Sequence, residues 1–264
     1  MTIYEPLSVG EIFDRALTIV VTRWRLLLPL ALLLGASDTL ANAAADVGAN
    51  GWLIGAADVT SIAVNVVLFN GMVAIAGDID GGDDLGSLLR LGLMRFWPAA
   101  GVVVFYCIAL IAIIFISFIP SSVLRTHEAG VAGAAYIGGI GIAIVAGSFA
   151  TLYAYVACVY VVLESMSPMG AIRAVTHRIK SAGAGRALCL GAALLVLTFV
   201  PTFSAALIPD RPPLLLACKL AVMFALLTPI FVYATAAQTV AALDYRNRGL
   251  GADLGRIVDE RARA

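Results

Sequence analysis

Three ionisable residues, Asp38, Asp58 and Lys219, stand inside long apolar stretches of this chain. A charged side chain at the centre of a hydrocarbon layer costs about 2.5 to 3.5 kcal/mol on insertion scales, so each marks a candidate polar site. Two carboxylates and a lysine could form an intramembrane ion pair that pins helices together, with Lys219 opposite Asp38 or Asp58. They could also be steps of a proton or ion relay, for which Asn42, Asn65, Asn70 and Gln238 would supply the further polar side chains. The plainer alternative is that all three are hydrated near the edge of the apolar layer.

Other residue patterns suggest packing before chemistry. Gly139, Ala143, Gly147 and Thr151 recur every four residues, a ridge of small side chains along which another helix can approach closely. Within the chain that ridge packs neighbouring helices; between chains it would make an oligomer or partner interface. Prolines at 29, 201 and 229 interrupt apolar runs and release backbone carbonyls. The acidic run Asp78, Asp80, Asp83 and Asp84 resembles a calcium loop only loosely, because the glutamate at its twelfth position is missing, and it reads as a solvated turn and helix cap. Cys107, Cys158, Cys189 and Cys218 form no C-x-x-C pair and read as small apolar packing residues. There is no phosphate-binding glycine loop, no G-x-S-x-G and no H-E-x-x-H, so neither a catalytic residue, nor a metal, nor a cofactor is expected.

The elements that carry these residues follow from composition. Hydrophobic residues make up 61% of 264 positions and charged residues 13%, against roughly 45 to 50% and about 25% in soluble domains. A water-soluble core of this size could not absorb that much apolar surface. A helix needs about 20 mostly apolar residues to cross a bilayer. Six segments qualify, near 24–46, 52–77, 97–119, 131–163, 187–209 and 213–243. They predict an all-α polytopic membrane protein, a single transmembrane domain over 1–249 with a cytoplasmic tail over 250–264. The first run is preceded by Arg23 and Arg25 and followed by Ala41-Asn42-Ala43, an imitation of a cleavage site, but its leader is too long and it reads as a retained anchor.

Basic residues orient the bundle, because short cytoplasmic loops retain Lys and Arg. Fourteen of the seventeen fall on one side, in the N-terminal segment, the loops after spans 2 and 4, and the tail. Only Arg125 and Arg211 fall on the other, which places both termini in the cytoplasm. The net charge is zero and the basic residues are interspersed with carboxylates, so nucleic acid is not an expected partner.

A short helix precedes each pair of spans. Ser8 and Glu11 form an S-x-x-E capping box ahead of Val9, Ile12, Phe13, Ala16, Leu17 and Val20, which share one helical face. Asp83 and Asp84 offer caps to a second such helix, carrying Leu85, Leu88, Leu89 and Met94. Ser167 with Pro168 at the first helical position starts a third, with Met169, Ile172, Val175 and Ile179 apolar. Starts near 8, 84 and 168 lie about 80 residues apart, which predicts three units of interfacial amphipathic helix plus transmembrane hairpin.

Three stretches carry a resemblance: Pro6-Leu7-Ser8-Val9-Gly10-Glu11-Ile12-Phe13-Asp14-Arg15-Ala16, Val162-Leu163-Glu164 with Ser167-Pro168, and Ala242-Leu243-Asp244-Tyr245-Arg246-Asn247-Arg248. Together they resemble the bacterial family called the glycerophosphoryl diester phosphodiesterase membrane domain. The resemblance implies a multi-span bundle in the bacterial inner membrane without the catalytic phosphodiesterase barrel. That barrel's chemistry would need a cluster of histidines and metal-binding carboxylates, whereas this chain has His127 and His177 on opposite sides. The expected function is a non-enzymatic scaffold, membrane-organising or partner-binding subunit, contacting membrane lipids and a protein partner or a second copy of itself. The alternative is a small transporter, or transporter accessory subunit, for a lipid or ion.

Overall fold

The computed structural model describes residues 7–46, 50–77, 84–124, 129–206, 208 and 213–263. Asp78, Asp80, Asp83, Arg125, His127 and Arg211 lie outside the described residues. Among those described, all regular structure is helical: α1 Val9–Thr22, α2 Trp24–Asp46, α3 Gly51–Ala76, α4 Leu85–Met94, α5 Phe96–Leu124, α6 Ala129–Leu163, α7 Pro168–Ala182, α8 Ala184–Ala206 and α9 Pro213–Arg263.

Caps set the starts of the short helices. The Ser8 hydroxyl accepts from the Glu11 amide at 3.2 Å and the Glu11 carboxylate accepts from the Ser8 amide, so two otherwise unpaired donors are satisfied reciprocally. Asp84 accepts from the Ser87 amide at 3.3 Å and begins α4. Ser167 accepts from the Gly170 amide at 3.2 Å, and Pro168 opens α7 where its missing N–H leaves nothing unpaired. The backbone enters that cap through Ser165, whose φ of 56° is the one positive value among described non-glycine residues.

Among the described residues, five helices are long and apolar enough to cross a membrane: Trp24–Ala44, Gly51–Ala76, Phe96–Ile119, Ala135–Leu163 and Leu215–Leu250. The sixth expected span falls on α8, where the stretch Ala184–Leu197 counts as a shorter apolar helix among the described residues. The expected tail differs too: α9 does not stop with its apolar run but continues unbroken to Arg263.

Packing is uneven along the bundle. Leu68 to Ala76 of α3, Leu152 to Val162 of α6 and Val232 to Tyr245 of α9 form the densest part of the core. The short helices sit at that same end, burying Ile12 and Ala16 of α1, Leu88 of α4, and Ala171, Val175 and Ile179 of α7. α9 lies against α1, α2, α3, α6, α7 and α8. Its alanines at 234, 236, 237, 241 and 242 permit that crowding, because small side chains let helix backbones approach. The other end is open: Leu40, Trp52, Val59, Ile116 and Ile137 are all exposed.

Close crossings occur at glycines. A Cβ on Gly139 of α6 would meet the Ser117 carbonyl oxygen of α5 at 2.3 Å, and one on Gly191 of α8 would meet the Ser148 carbonyl oxygen of α6 at 2.2 Å. The ridge Gly139, Ala143, Gly147 and Thr151 therefore faces α5 at its ends, since the Thr151 hydroxyl also lies 3.0 Å from that of Tyr106. Its middle is slacker, with nothing within 4 Å of a Cβ built on Gly147.

Candidate functional site

Two polar clusters stand out. The first is at the dense end, where the chain segment ahead of α1 meets α8 and α9. Asp244 has no solvent exposure, and a carboxylate so placed must be paired. Its Oδ1 accepts from the Leu7 amide at 3.0 Å, while Oδ2 accepts from Arg186 at 2.7 Å and from Nε of Arg248 at 2.8 Å. Arg248 also donates to the Leu7 carbonyl at 3.0 Å. One carboxylate thus ties together parts of the chain 237 residues apart.

Beside it, Arg178 of α7 makes a two-pronged bond to Glu164, at 2.9 and 3.2 Å, and its guanidinium lies 4.4 Å from the centre of the Tyr160 ring. The Tyr160 hydroxyl donates to the Ala242 carbonyl at 3.0 Å. Burial pushes the Arg178 pKa down, but the bonds to Glu164 and Tyr160 outweigh it and the net shift is upward. Arg95 reaches the Ser165 hydroxyl at the same end. These are charge pairs and clamps.

The second cluster lies midway along the bundle. Asp38 of α2 accepts at Oδ1 from the Ser61 hydroxyl, at 2.7 Å, and from the Asn65 amide, both on α3. Ser37 and Ser61 lie 3.3 Å apart beside them. Asp38 thus takes partners from α3. Asp58 is exposed on α3, one turn before Ser61, and Lys219 is half-buried near the start of α9.

Asn65 leads into a cavity of about 200 Å³ bounded by α2, α3, α5, α6 and α9. Its wall is almost wholly apolar, with the rings of Phe69 and Tyr155 tilted against each other at 6.2 Å between centres, but Asn65, Asn70 and Gln238 also line it. Asn70 and Gln238 are essentially buried, and the side-chain carbonyl oxygens of all three accept no hydrogen bond from the described residues. Three larger hollows, of about 370, 380 and 230 Å³, lie along α1, α2 and α9 and between α5, α6 and α7. None of them is lined by a buried polar atom of that kind among the described residues, so the smaller cavity is the better candidate.

Of the four cysteines, Cys158 is buried and lines this cavity, while Cys107, Cys189 and Cys218 face outward. Among the described residues no three His, Cys, Asp or Glu side chains are placed to share a metal ion. The sequence pointed to Asn65, Asn70 and Gln238 only as polar steps; that they line one cavity depends on how five helices pack. Asp244, Glu164, Arg178, Arg186 and Arg248 were legible as motif and loop residues, each at the end of an apolar run, but not as partners.

Set against family models, curated proteins and solved structures, this chain matches none.

Proposed function

We propose that this is a six-span protein of the bacterial inner membrane, both termini cytoplasmic, that holds a small amphiphile inside its bundle. In this reading it serves as a transporter or transporter accessory subunit for a lipid-like ligand, without catalysis. The observation that carries it is the cavity, where buried carbonyl oxygens of Asn70 and Gln238 remain without donors in an otherwise apolar wall. A buried polar group left unpaired costs about 1 to 3 kcal/mol, so a wall of this kind suits an occupant that supplies the missing bonds.

The order short, long, long occurs three times along the chain, and α2 packs on α3, α5 on α6 and α8 on α9. That supports three hairpins, each entered through a short helix, with α8 as the sixth span. The excess of basic residues on the side of the short helices supports a cytoplasmic dense end. A collar that docks a protein partner is the second reading: α1, α4 and α7 bury Ile12, Ala16, Leu88, Ala171, Val175 and Ile179 in the bundle, while Leu17, Leu93, Met94 and Met169 stay exposed. Kinship with the glycerophosphoryl diester phosphodiesterase membrane domain is part of the same proposal. It draws support from contacts among the stretches that carry the resemblance, Leu7 with Asp244 and with Arg248.

The test is to extract the full chain in mild detergent and analyse what co-purifies, beside an Ala154→Trp variant that fills the cavity. One lipid or amphiphile enriched over the bulk membrane and lost in the variant is the expected result. A wild-type preparation carrying only bulk lipid, in the same proportions as the variant, would remove the reading.

A further inference from the structure

We propose that the cavity selects an amphiphile whose head carries hydrogen-bond donors and no negative charge, a hydroxyl or protonated-amine head on an apolar tail. The inference rests on the reading of the cavity as a ligand site and adds the chemistry of the head.

Amide orientation decides what the wall offers. The NH2 group of Asn65 must face Asp38, because a carboxylate oxygen can only accept, and the NH2 group of Asn70 must face the Gly92 carbonyl at 3.3 Å for the same reason. Each is left with its carbonyl oxygen, buried and unpartnered, and Gln238 presents a third. The wall therefore asks for donors. No Arg, Lys or His lines it, so a phosphate or carboxylate head would enter without a counter-charge. The aromatic faces of Phe69, Tyr106, Tyr155 and Phe231 are indifferent to a hydroxyl, attract a cation and repel an anion.

Size and placement refine the ligand. Asn65 and Asn70 are five residues apart on α3, about 7.5 Å along the helix at 1.5 Å per residue. A head with donors on neighbouring atoms reaches one of them and Gln238 more readily than all three at once. A cavity of about 200 Å³ compares with the roughly 150 Å³ that accommodates benzene, or with six or seven waters at about 30 Å³ each. It has room for a head and a few carbons, so the rest of a tail must leave past Ile62, which is half exposed at the rim.

The experiment uses the full chain in a non-ionic detergent and three probes with one tail: dodecylamine, 1,2-dodecanediol and dodecyl phosphate. Affinities are read by native mass spectrometry for wild type, Gln238→Leu, Gln238→Met and Ala154→Trp. Both Gln238 variants keep side-chain volume and break no hydrogen bond that the structure shows, so they fold as the parent does. The amine, the diol or both bind at least about tenfold more tightly than the phosphate, and each Gln238 variant loses about tenfold for the donor heads alone, the size of one hydrogen bond. Which donor head binds better identifies the source of the donor.

Phosphate binding as tightly as the others overturns the inference. So does equal binding of all three that Ala154→Trp abolishes and Gln238→Leu leaves unchanged, a result that keeps the cavity as a ligand site and discards its donor selectivity. No binding of any probe overturns both readings and leaves a hydrated cavity.

Discussion

Asp244 shows how much a single side chain can organise. Its carboxylate is fully buried, with two guanidinium groups and a backbone amide around it, and removing one partner of such a buried pair typically costs about 3 to 5 kcal/mol. Glu164 and Arg178 are each 18% exposed at the side chain, so water recovers part of the loss there. Asp244→Asn is therefore expected to lower the thermal stability of the purified chain clearly more than Glu164→Gln, by differential scanning fluorimetry in detergent. Equal shifts for the two variants would mean that burial is not what makes Asp244 matter. Legibility at this scale followed locality. The Ser8, Asp84 and Ser167 caps could be read because donor and acceptor lie within three residues. Asp38 could be read as a polar site, but its partners Ser61 and Asn65 lie on another helix, and the expected Lys219 partner was a choice among distant residues that spacing cannot make.

Helices of this chain divide into those whose ends are fixed by caps and those whose faces are fixed by close approach. α1 belongs to the first kind. The Ser8 backbone and then the Ser8 hydroxyl hold the Glu11 carboxyl below its usual value. A carboxyl depressed in the folded state adds stability above its unfolded pKa and loses it as pH falls through the folded one. Wild type and Glu11→Gln should then differ in melting temperature near neutrality and converge below the ordinary carboxylate range. A gap that persists at the acid end would show that the contribution is not ionic. α6 belongs to the second kind, and its small-residue ridge is not uniform. Gly139→Ala drives a Cβ into the Ser117 carbonyl and should destabilise, whereas Gly147→Ala meets open space and gains roughly 1 kcal/mol of helix propensity. If the two alanines shift the melting temperature in the same direction, α5 and α6 do not cross as described. The four-residue spacing revealed the ridge but not this difference, which depends on where α5 comes closest. Nor was the full length of α9 readable, because its extension begins where the apolar run ends, helped by the Arg248 to Asp244 bond one turn apart.

Across the whole molecule, packing falls from one end to the other, and the candidate cavity lies where it changes. Hydropathy and charge lead to an expected direction for the chain because each depends on composition alone. They could not give the gradient, since exposed and buried apolar residues look alike in a sequence meant for lipid. Below the cavity stand the fully packed segments of α3, α6 and α9, cross-tied by Tyr160, Asp244 and the three short helices. Above it, α2 and α3 expose Leu40 and Trp52 and are held together by the Asp38, Ser61 and Asn65 bonds. Local opening draws on the places with fewest buried contacts, so any route into the cavity should open at the sparse end while the short helices stay docked. Hydrogen exchange in lipid nanodiscs tests the order. Amides over 68–76, 152–162 and 232–245 should exchange last. Those over 36–44 and 51–60 should exchange first among the helices around the cavity. The reverse order would put the entrance at the charged end, and a tail protruding past Ile62 would then point into the closed part of the bundle.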